Sequence, residues 1–262
     1  MRIDQLLVQR GLASTRSQAQ RLIADGVEWF QGDTWKRITK NGDELPESAE
    51  VRLLDDSEAR YVSRGGLKLE GALKVTGLQV AGWTCLDIGQ STGGFTDCLL
   101  QQGAAQVTGV DVGSNQVHPK IREDERVTCI EGVNARELDA SHLIANEDHF
   151  TLGDGDSDPE FDLVTGDLSF ISLTLVLPAL VPFLKADGHL LMLVKPQFEL
   201  QPGQVGKGGL VKDPALHAVV EQRIRDACAA LDLVVQGWFD SPITGGDGNR
   251  EFFVWARKPA ED

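Results

Sequence analysis

The stretch Leu86-Asp87-Ile88-Gly89-Gln90-Ser91-Thr92-Gly93-Gly94-Phe95 decides the fold. A short apolar strand candidate, Thr84 to Gly89, ends in a glycine-rich turn that opens a helix. Glycines let the backbone approach a ligand, and a helix N-terminus presents unbonded N–H groups. A second strand candidate, Gln106 to Val112, places Asp111 at its end, where a carboxylate can accept hydrogen bonds from ribose hydroxyls. Dinucleotide-binding enzymes share both features. Here, however, Gly89-x-x-x-Gly93-Gly94 departs from the GxGxxG pattern, and Asp87 precedes the first glycine. A carboxylate at that point suits a cationic ligand, such as a sulfonium with its amino-acid tail, and opposes a pyrophosphate. The loop therefore reads as a site for S-adenosylmethionine rather than NAD.

Outward from this loop the same rhythm continues. Strand candidates at Val127 to Ile130, Phe161 to Thr165, His189 to Val194, Leu233 to Trp238 and Glu251 to Ala256 alternate with helical segments at Phe95 to Gln102, Leu173 to Leu184 and Pro214 to Leu231. This is the pattern of a doubly wound, Rossmann-like α/β sheet. The connection Asp240 to Arg250 is too short for a helical crossover, so the last two strands are expected to be antiparallel neighbours.

The first 58 residues read differently, as a small α+β unit. Ile3, Leu6, Leu7 and Leu12 mark a short helix closed by Gly11. Thr15 to Gln18 fits a capping box for a second helix carrying Ala19, Leu22 and Ile23, stopped at Gly26. Small strands are expected at Val27 to Phe30 and Val51 to Leu54. Asp55 to Glu58 reads as a linker, residues 59–80 as a connecting segment with a helix, and residues 81–262 as the large domain.

The chain of 262 residues carries 25 basic and 40 acidic side chains, a formal charge of −15. Taken whole, that opposes a nucleic-acid partner, which needs clustered Lys and Arg. By region the objection weakens. Residues 1–80 are neutral, and residues 1–24 hold four arginines against Asp4 alone. Glu137 to Asp162 carries nine carboxylates and no Lys or Arg, and reads as a solvated acidic loop pointing away from the ligand edge. The N-terminus lacks the apolar core of a secretory signal, and the longest apolar run, Leu173 to Leu184, is too short to span a bilayer. Cys85, Cys98, Cys129 and Cys228 are scattered, which suggests a reduced cytoplasmic protein with buried thiols and no zinc site.

Four polar residues stand at ends of elements. Asp167 and Lys195 follow strand candidates, Glu251 opens the last one, and Lys68 follows Ser63-Arg64-Gly65-Gly66-Leu67. Ligands of open α/β sheets bind beyond the carboxyl ends of parallel strands, and an antiparallel strand starts at that same edge. Methyl transfer to oxygen needs in-line geometry and removal of the hydroxyl proton, and a lysine oriented by carboxylates can serve as the base.

At these residues the sequence resembles a known family. Ser-Arg-Gly-Gly-Leu-Lys68-Leu, Leu-Asp87-Ile-Gly-Gln-Ser-Thr-Gly-Gly-Phe-Thr-Asp97, Asp111-Val-Gly, Asn134-Ala-Arg136, Gly-Asp167-Leu-Ser-Phe-Ile-Ser172, Val-Lys195-Pro-Gln-Phe-Glu199, Val-Gly-Lys207-Gly-Gly and Gly-Asn-Arg-Glu251-Phe are similar to motifs of the TlyA family. These are FtsJ-like ribose 2'-O-methyltransferases of ribosomal RNA, once named hemolysins. The resemblance implies a seven-stranded methyltransferase sheet with an antiparallel last strand, a Lys-Asp-Lys-Glu tetrad at Lys68, Asp167, Lys195 and Glu251, and ribosomal RNA, at cytidine, as substrate. It implies S-adenosylmethionine held by Asp87, Gly89, Ser91, Thr92, Gly93, Gly94, Phe95, Asp111, Val112 and Asn134. No metal is expected, because a sulfonium is already a good leaving group. The N-terminal unit is similar to the RNA-binding (alpha-L) module of ribosomal protein S-four, with Arg2, Arg16 and Arg21 on its basic face. Arg64, Lys207 and Lys212 are candidate phosphate contacts. The aromatic run Trp29 to Trp35 replaces that module's usual polar hairpin; it could stack on bases or pack against the neighbouring domain. A silent ribosome-assembly factor, a membrane-active hemolysin and a small-molecule methyltransferase are the rival readings.

Overall fold

A computed structural model describes residues 1–54, 59–144 and 158–260. The expected linker at 55–58 and residues 145–157 of the acidic stretch, including Asp154 and Asp156, lie outside the described residues. The chain divides into two units, Met1–Leu67 and Lys68–Asp262.

In the first unit, α1 (Ile3–Gln9) and α2 (Arg16–Gly26) pack on a sheet of β1 (Val27–Gln31), β2 (Thr34–Ile38) and β3 (Val51–Leu53), ordered β2-β1-β3 and antiparallel throughout. Ile3, Leu6, Leu7, Leu22, Ile23, Val27 and Ile38 form its core. Half of the expected capping box exists: Thr15 accepts from the Gln18 N–H at 3.1 Å, but the Gln18 amide oxygen takes the Ser14 N–H, at 2.6 Å, instead of turning back to Thr15. The strand β2 is not among the sequence expectations. Only Ile38 on it is buried, so it carries no apolar alternation to read, and the Gly32-Asp33 turn alone folds it onto β1. The aromatic run finds partners within this unit: Phe30 and Trp35 pair across the strands at 5.3 Å, and the Arg52 guanidinium covers Trp35 at 4.2 Å.

The basic N-terminus is organised by one buried acid. Asp4 accepts from Arg2 Nε and Nη2 at 3.0 and 2.9 Å and from Arg16 Nη2 at 3.1 Å. Arg10 donates to the backbone carbonyls of Ala49 and Glu47.

In the second unit, seven strands form one sheet in the order β6-β5-β4-β7-β8-β10-β9. They are β4 (Thr84–Ile88), β5 (Gln106–Asp111), β6 (Val127–Glu131), β7 (Phe161–Gly166), β8 (Leu184–Val194), β9 (Val234–Asp240) and β10 (Phe252–Arg257). Strands β4 to β8 run parallel; β10 slots between β8 and β9, antiparallel to both, as the short connection predicts. Helices α3 (Gly65–Thr76), α4 (Gly94–Gln101), α5 (Pro119–Arg122), α6 (Ala140–Ile144), α7 (Leu173–Leu180), α8 (Pro196–Glu199) and α9 (Pro214–Ala229) connect or flank the strands. The inner strands are apolar along their whole length because both faces are covered: Leu86, Ile88, Val164, Leu190, Met192 and Val254 are all buried. One boundary differs from expectation. The helix begun at Leu173 ends at Leu180, and β8 already starts at Leu184, because Pro182 has no N–H to continue the helix. Cys85, Cys98 and Cys228 are buried thiols, and Cys129 is half-buried.

The Asp4 carboxyl is held well below its usual range, first by the hydrogen bond from Arg2 and then by Arg16, against the cost of burial. A depressed carboxylate stabilises the fold above its unfolded pKa and loses that contribution as acid protonates it. Replacing Asp4 by Asn is expected to destabilise the first unit at pH 7 by about 1–3 kcal/mol, the range for hydrogen bonds to charged groups. The difference from wild type should shrink towards pH 3. Chemical denaturation followed by Trp29 and Trp35 fluorescence checks this.

Candidate active site

Two strand registers build the site. Ile88 on β4 aligns with Gly166 on β7, so the Gly89 turn and Asp167 leave the sheet side by side. Val194 on β8 aligns with Phe252 on β10, so Lys195 leaves the sheet where Glu251 enters it. The β4/β7 boundary is also where the strand order reverses, the switch point at which open α/β sheets bind ligands.

All four expected tetrad residues meet there. Lys195 Nζ lies 2.5 Å from Asp167 Oδ1. Lys68, carried on the first turns of α3, lies 2.6 Å from Glu251 Oε2 and 3.5 Å from Asp167 Oδ2. The result is a chain of alternating charge, Glu251–Lys68–Asp167–Lys195. Lys68 and Glu251 form its buried end. Burial pushes the Glu251 carboxyl above the usual range, with Lys68 pulling the other way. Lys195 and Asp167 form the more accessible end.

The glycine-rich loop closes on the same edge. Asp87 is 1% exposed, and its Oδ2 accepts from Thr96 Oγ1 at 2.7 Å, while its Oδ1 is buried with no hydrogen-bond partner. Burial is the main cause that pushes the Asp87 carboxyl up to about 7, with Asp167 and Asp111 adding to it. Gly89, at φ +78°, has no room for a side chain: a Cβ there would meet the Asp167 carbonyl oxygen at 2.9 Å. Ser91 and Gly93 also take positive φ, and Gly93 caps α4, which opens with Gly94 and Phe95. The Thr92 carbonyl accepts from the His118 N–H. Asp111 receives the N–H of Ser91 at 2.7 Å and of Gly113 at 2.8 Å, so it shapes the loop. Val112 is 71% exposed beside it. The Val133 N–H donates to the Asp111 carbonyl, which brings Asn134 close; Asn134 caps a short turn through Arg136.

The expected RNA contacts fall in both units. Arg2 and Arg16 are anchored on Asp4 with their outer edges exposed, and Arg21 is half-buried on α2. Arg64 lies just before α3, at the end of the first unit. Lys207 and Lys212 are exposed on the loop between α8 and α9.

Several site residues went unassigned by sequence reasoning. Ser169 Oγ accepts from Lys195 Nζ at 2.9 Å. The buried Glu199 accepts from Ser172 Oγ and the Leu173 N–H, at 2.6 and 2.7 Å. The buried Asn249 bonds Val211 N and Gly209 O, so it pins the Lys207 loop to the segment that carries Glu251. Gln90 fills the space above Gly109 and donates to Thr96. All four lie inside the motifs quoted above, but nothing in a lone Ser, Glu, Asn or Gln reports what it touches.

The FtsJ-like methyltransferase family matches residues 61–258, and the S4 domain matches residues 1–26. Among curated proteins, the chain is 45% identical to the Bacillus subtilis protein YqxC, named for rRNA methylation, covering 99% of this chain and 86% of that one. It is 41% identical to the 16S/23S rRNA (cytidine-2'-O)-methyltransferase TlyA of Mycobacterium tuberculosis, covering 98% and 89%. It is 34% identical to Hemolysin A of Brachyspira hyodysenteriae, over 97% and 98%. Among solved structures, a protein from Streptococcus thermophilus described as a hemolysin aligns over 100% of this chain and 90% of its own, at TM-score 0.73 and 38% identity. At 14% identity and TM-score 0.52, an S-adenosylmethionine-dependent methyltransferase from Listeria monocytogenes shares the fold alone. Among the described residues no helix is long and apolar enough to cross a membrane. With near-full-length identity above 40%, and a sheet and tetrad of the expected form, the chain belongs to the TlyA family of FtsJ-like methyltransferases.

Proposed function

We propose that this protein methylates the 2'-hydroxyl of a cytidine ribose in ribosomal RNA, using S-adenosylmethionine. The observation that carries the reading is the pair Asp167–Lys195 at the open end of a buried charge chain, directly beside the glycine-rich cleft.

The residues present fit the cofactor. The orphaned Asp87 oxygen is a buried acceptor waiting for a donor or a positive charge. Gly89 takes the left-handed turn that lets the loop pass against the Asp167 backbone, and Asp111 stands at the ribose position. When bound, the cofactor supplies a methyl group already activated by its sulfonium. What remains for the chain is to place the acceptor oxygen and remove its proton. Lys195 Nζ is the base, accepting the 2'-hydroxyl proton. Asp167 orients Lys195 and stabilises the ammonium that forms. Lys68 and Glu251 hold Asp167 from the buried side and fix its rotamer.

An RNA substrate is supported by two further features. The S4-type helices carry arginines fixed by Asp4 and the Ala49 and Glu47 carbonyls, which lowers the ordering cost of phosphate contacts. At the site, Phe170 is 89% exposed with φ +65°, a costly backbone for a bulky residue, and its ring meets Phe198 at 5.1 Å. A strained, exposed ring beside the base suits stacking on an unpaired nucleobase.

Mapping 2'-O-methyl groups in ribosomal RNA with and without the protein tests the substrate directly; an unchanged map in the presence of active protein refutes it. Lys195→Ala is expected to lower methylation by about 10²-fold or more, the usual contribution of a general base, with cofactor binding retained. Wild-type methylation by that folded variant would sink the assignment. Phe170→Ala is expected to raise KM for RNA without weakening cofactor binding.

Asp87 gives a pH signature. Because its folded pKa is raised, the cofactor-free protein loses stability as pH rises from about 4 through 7 and the buried carboxylate ionises. Asp87→Asn should remove that slope and stabilise the cofactor-free protein at pH 8 by a few kcal/mol at most, at about 1.4 kcal/mol per pH unit. The same variant should bind S-adenosylmethionine more weakly. Thermal melts at pH 5 and 8, with calorimetry, separate the two effects.

A further inference from the structure

Ser169 stands outside the tetrad, yet its hydroxyl is the hydrogen-bond partner of Lys195 Nζ, at 2.9 Å, beside the ion-pair contact with Asp167 at 2.5 Å. A lysine nitrogen is tetrahedral. As a neutral amine it has one Cε bond, two N–H donors and one lone pair. Ser169 Oγ takes one N–H in hydrogen-bond geometry, and the Asp167 carboxylate holds the nitrogen by close charge contact, so the lone pair is confined to a narrow range of directions. With Asp167 alone, the amine can spin about its Cε–Nζ bond and present the lone pair anywhere on a cone.

The surroundings of Ser169 are built to hold it there. Three contacts tie the segment after β7 to the turn after β8. Lys195 meets Ser169, Phe170 packs on Phe198, and Glu199 accepts from Ser172 Oγ and the Leu173 N–H. Glu199 is buried, and its carboxyl is pushed upward by that burial while the two bonds from Ser172 and Leu173 oppose the shift. The adjoining Phe170 keeps its left-handed backbone within this tie. The two segments therefore move as one piece, and Ser169 is carried at a fixed place beside Lys195.

We propose that Ser169 is a positioning residue for the base: it accepts one N–H of Lys195 and so, with Asp167, aims the remaining lone pair at the ribose 2'-hydroxyl. This rests on the assignment of Lys195 as base. In the step it serves, the 2' O–H bond breaks and an N–H bond forms on Lys195; the ammonium so made donates to Asp167, to Ser169 and to the oxygen that has lost its proton. Ser169 itself gains and loses no proton.

The test uses the full-length protein with ribosomal RNA as methyl acceptor. Ser169→Ala is expected to lower kcat about tenfold or more, the scale of effect expected when a reacting group loses its alignment. KM for RNA and the Kd for S-adenosylmethionine should stay within about twofold, and the melting temperature should not move, because Ser169 is exposed. Ser169→Thr, which keeps the hydroxyl, should recover most of the rate. The double variant Ser169→Ala/Lys195→Ala should be no slower than Lys195→Ala alone, since the two act as one unit. A wild-type kcat for Ser169→Ala, a defect confined to KM, a Thr variant no better than Ala, or a further loss in the double variant each overturns the proposal. If Lys195→Ala is itself fully active, the base assignment falls and Ser169 with it. If Lys195→Ala is inactive while Ser169→Ala is not, only the role of Ser169 is lost.

Discussion

One carboxylate shared between two lysines is the constraint from which the site follows. Asp167 faces Lys195 with one oxygen and Lys68 with the other. Lys68 in turn neutralises Glu251, which is buried. Charges in such surroundings are tolerated only in company, because removing one partner strands the other in a low-dielectric interior. The four side chains therefore depend on one another. Two strand registers place them, Ile88 with Gly166 and Val194 with Phe252, and a slip in either would separate Asp167 from the loop or Glu251 from its lysine.

Within the charge chain Asp167 is the most exposed member, and the two lysines are nearly equally covered. Further contacts hold the segments that carry it. Glu199 joins the segments after β7 and β8. Asn249 joins the loop after α8 to the connection before β10. Gln90 and Thr96 hold Asp87 from behind, so that one of its oxygens is satisfied and the other is left bare. A bare buried acceptor weakens the cofactor-free protein, a cost that binding can offset.

Much of this was legible in advance, for identifiable reasons. Parallel strands buried on both faces read as unbroken apolar runs, so the points where Asp167 and Lys195 interrupt them stand out. The short connection 240–250 announced the antiparallel pair, because no helix fits in it. Strand β2 was not legible, since Thr34–Ile38 buries only Ile38 and is held by the turn and by backbone pairing. The start of β8 differs from expectation because Leu173 to Leu184, interrupted only by Thr174, Pro178 and Pro182, reads as one helical segment, while its helix-to-strand switch is made by Pro182. The local positive charge of residues 1–24 is legible in composition but its arrangement is not: Asp4, the one acid, is the hub on which Arg2 and Arg16 converge.

The sequence by itself determined the class of sheet and the glycine-rich turn, because periodicity and glycine placement are local properties, and its motifs marked Lys68, Asp167, Lys195 and Glu251 as the candidate tetrad. Tertiary structure alone decided who pairs with whom. It put Lys68, from a helix, against Glu251, nearly the length of the second unit away in sequence, and it put Ser169 beside Lys195. Hydrogen bonds and ion pairs act over about 3 Å, and at that scale proximity is set by strand register and loop packing, which no local pattern in the chain encodes.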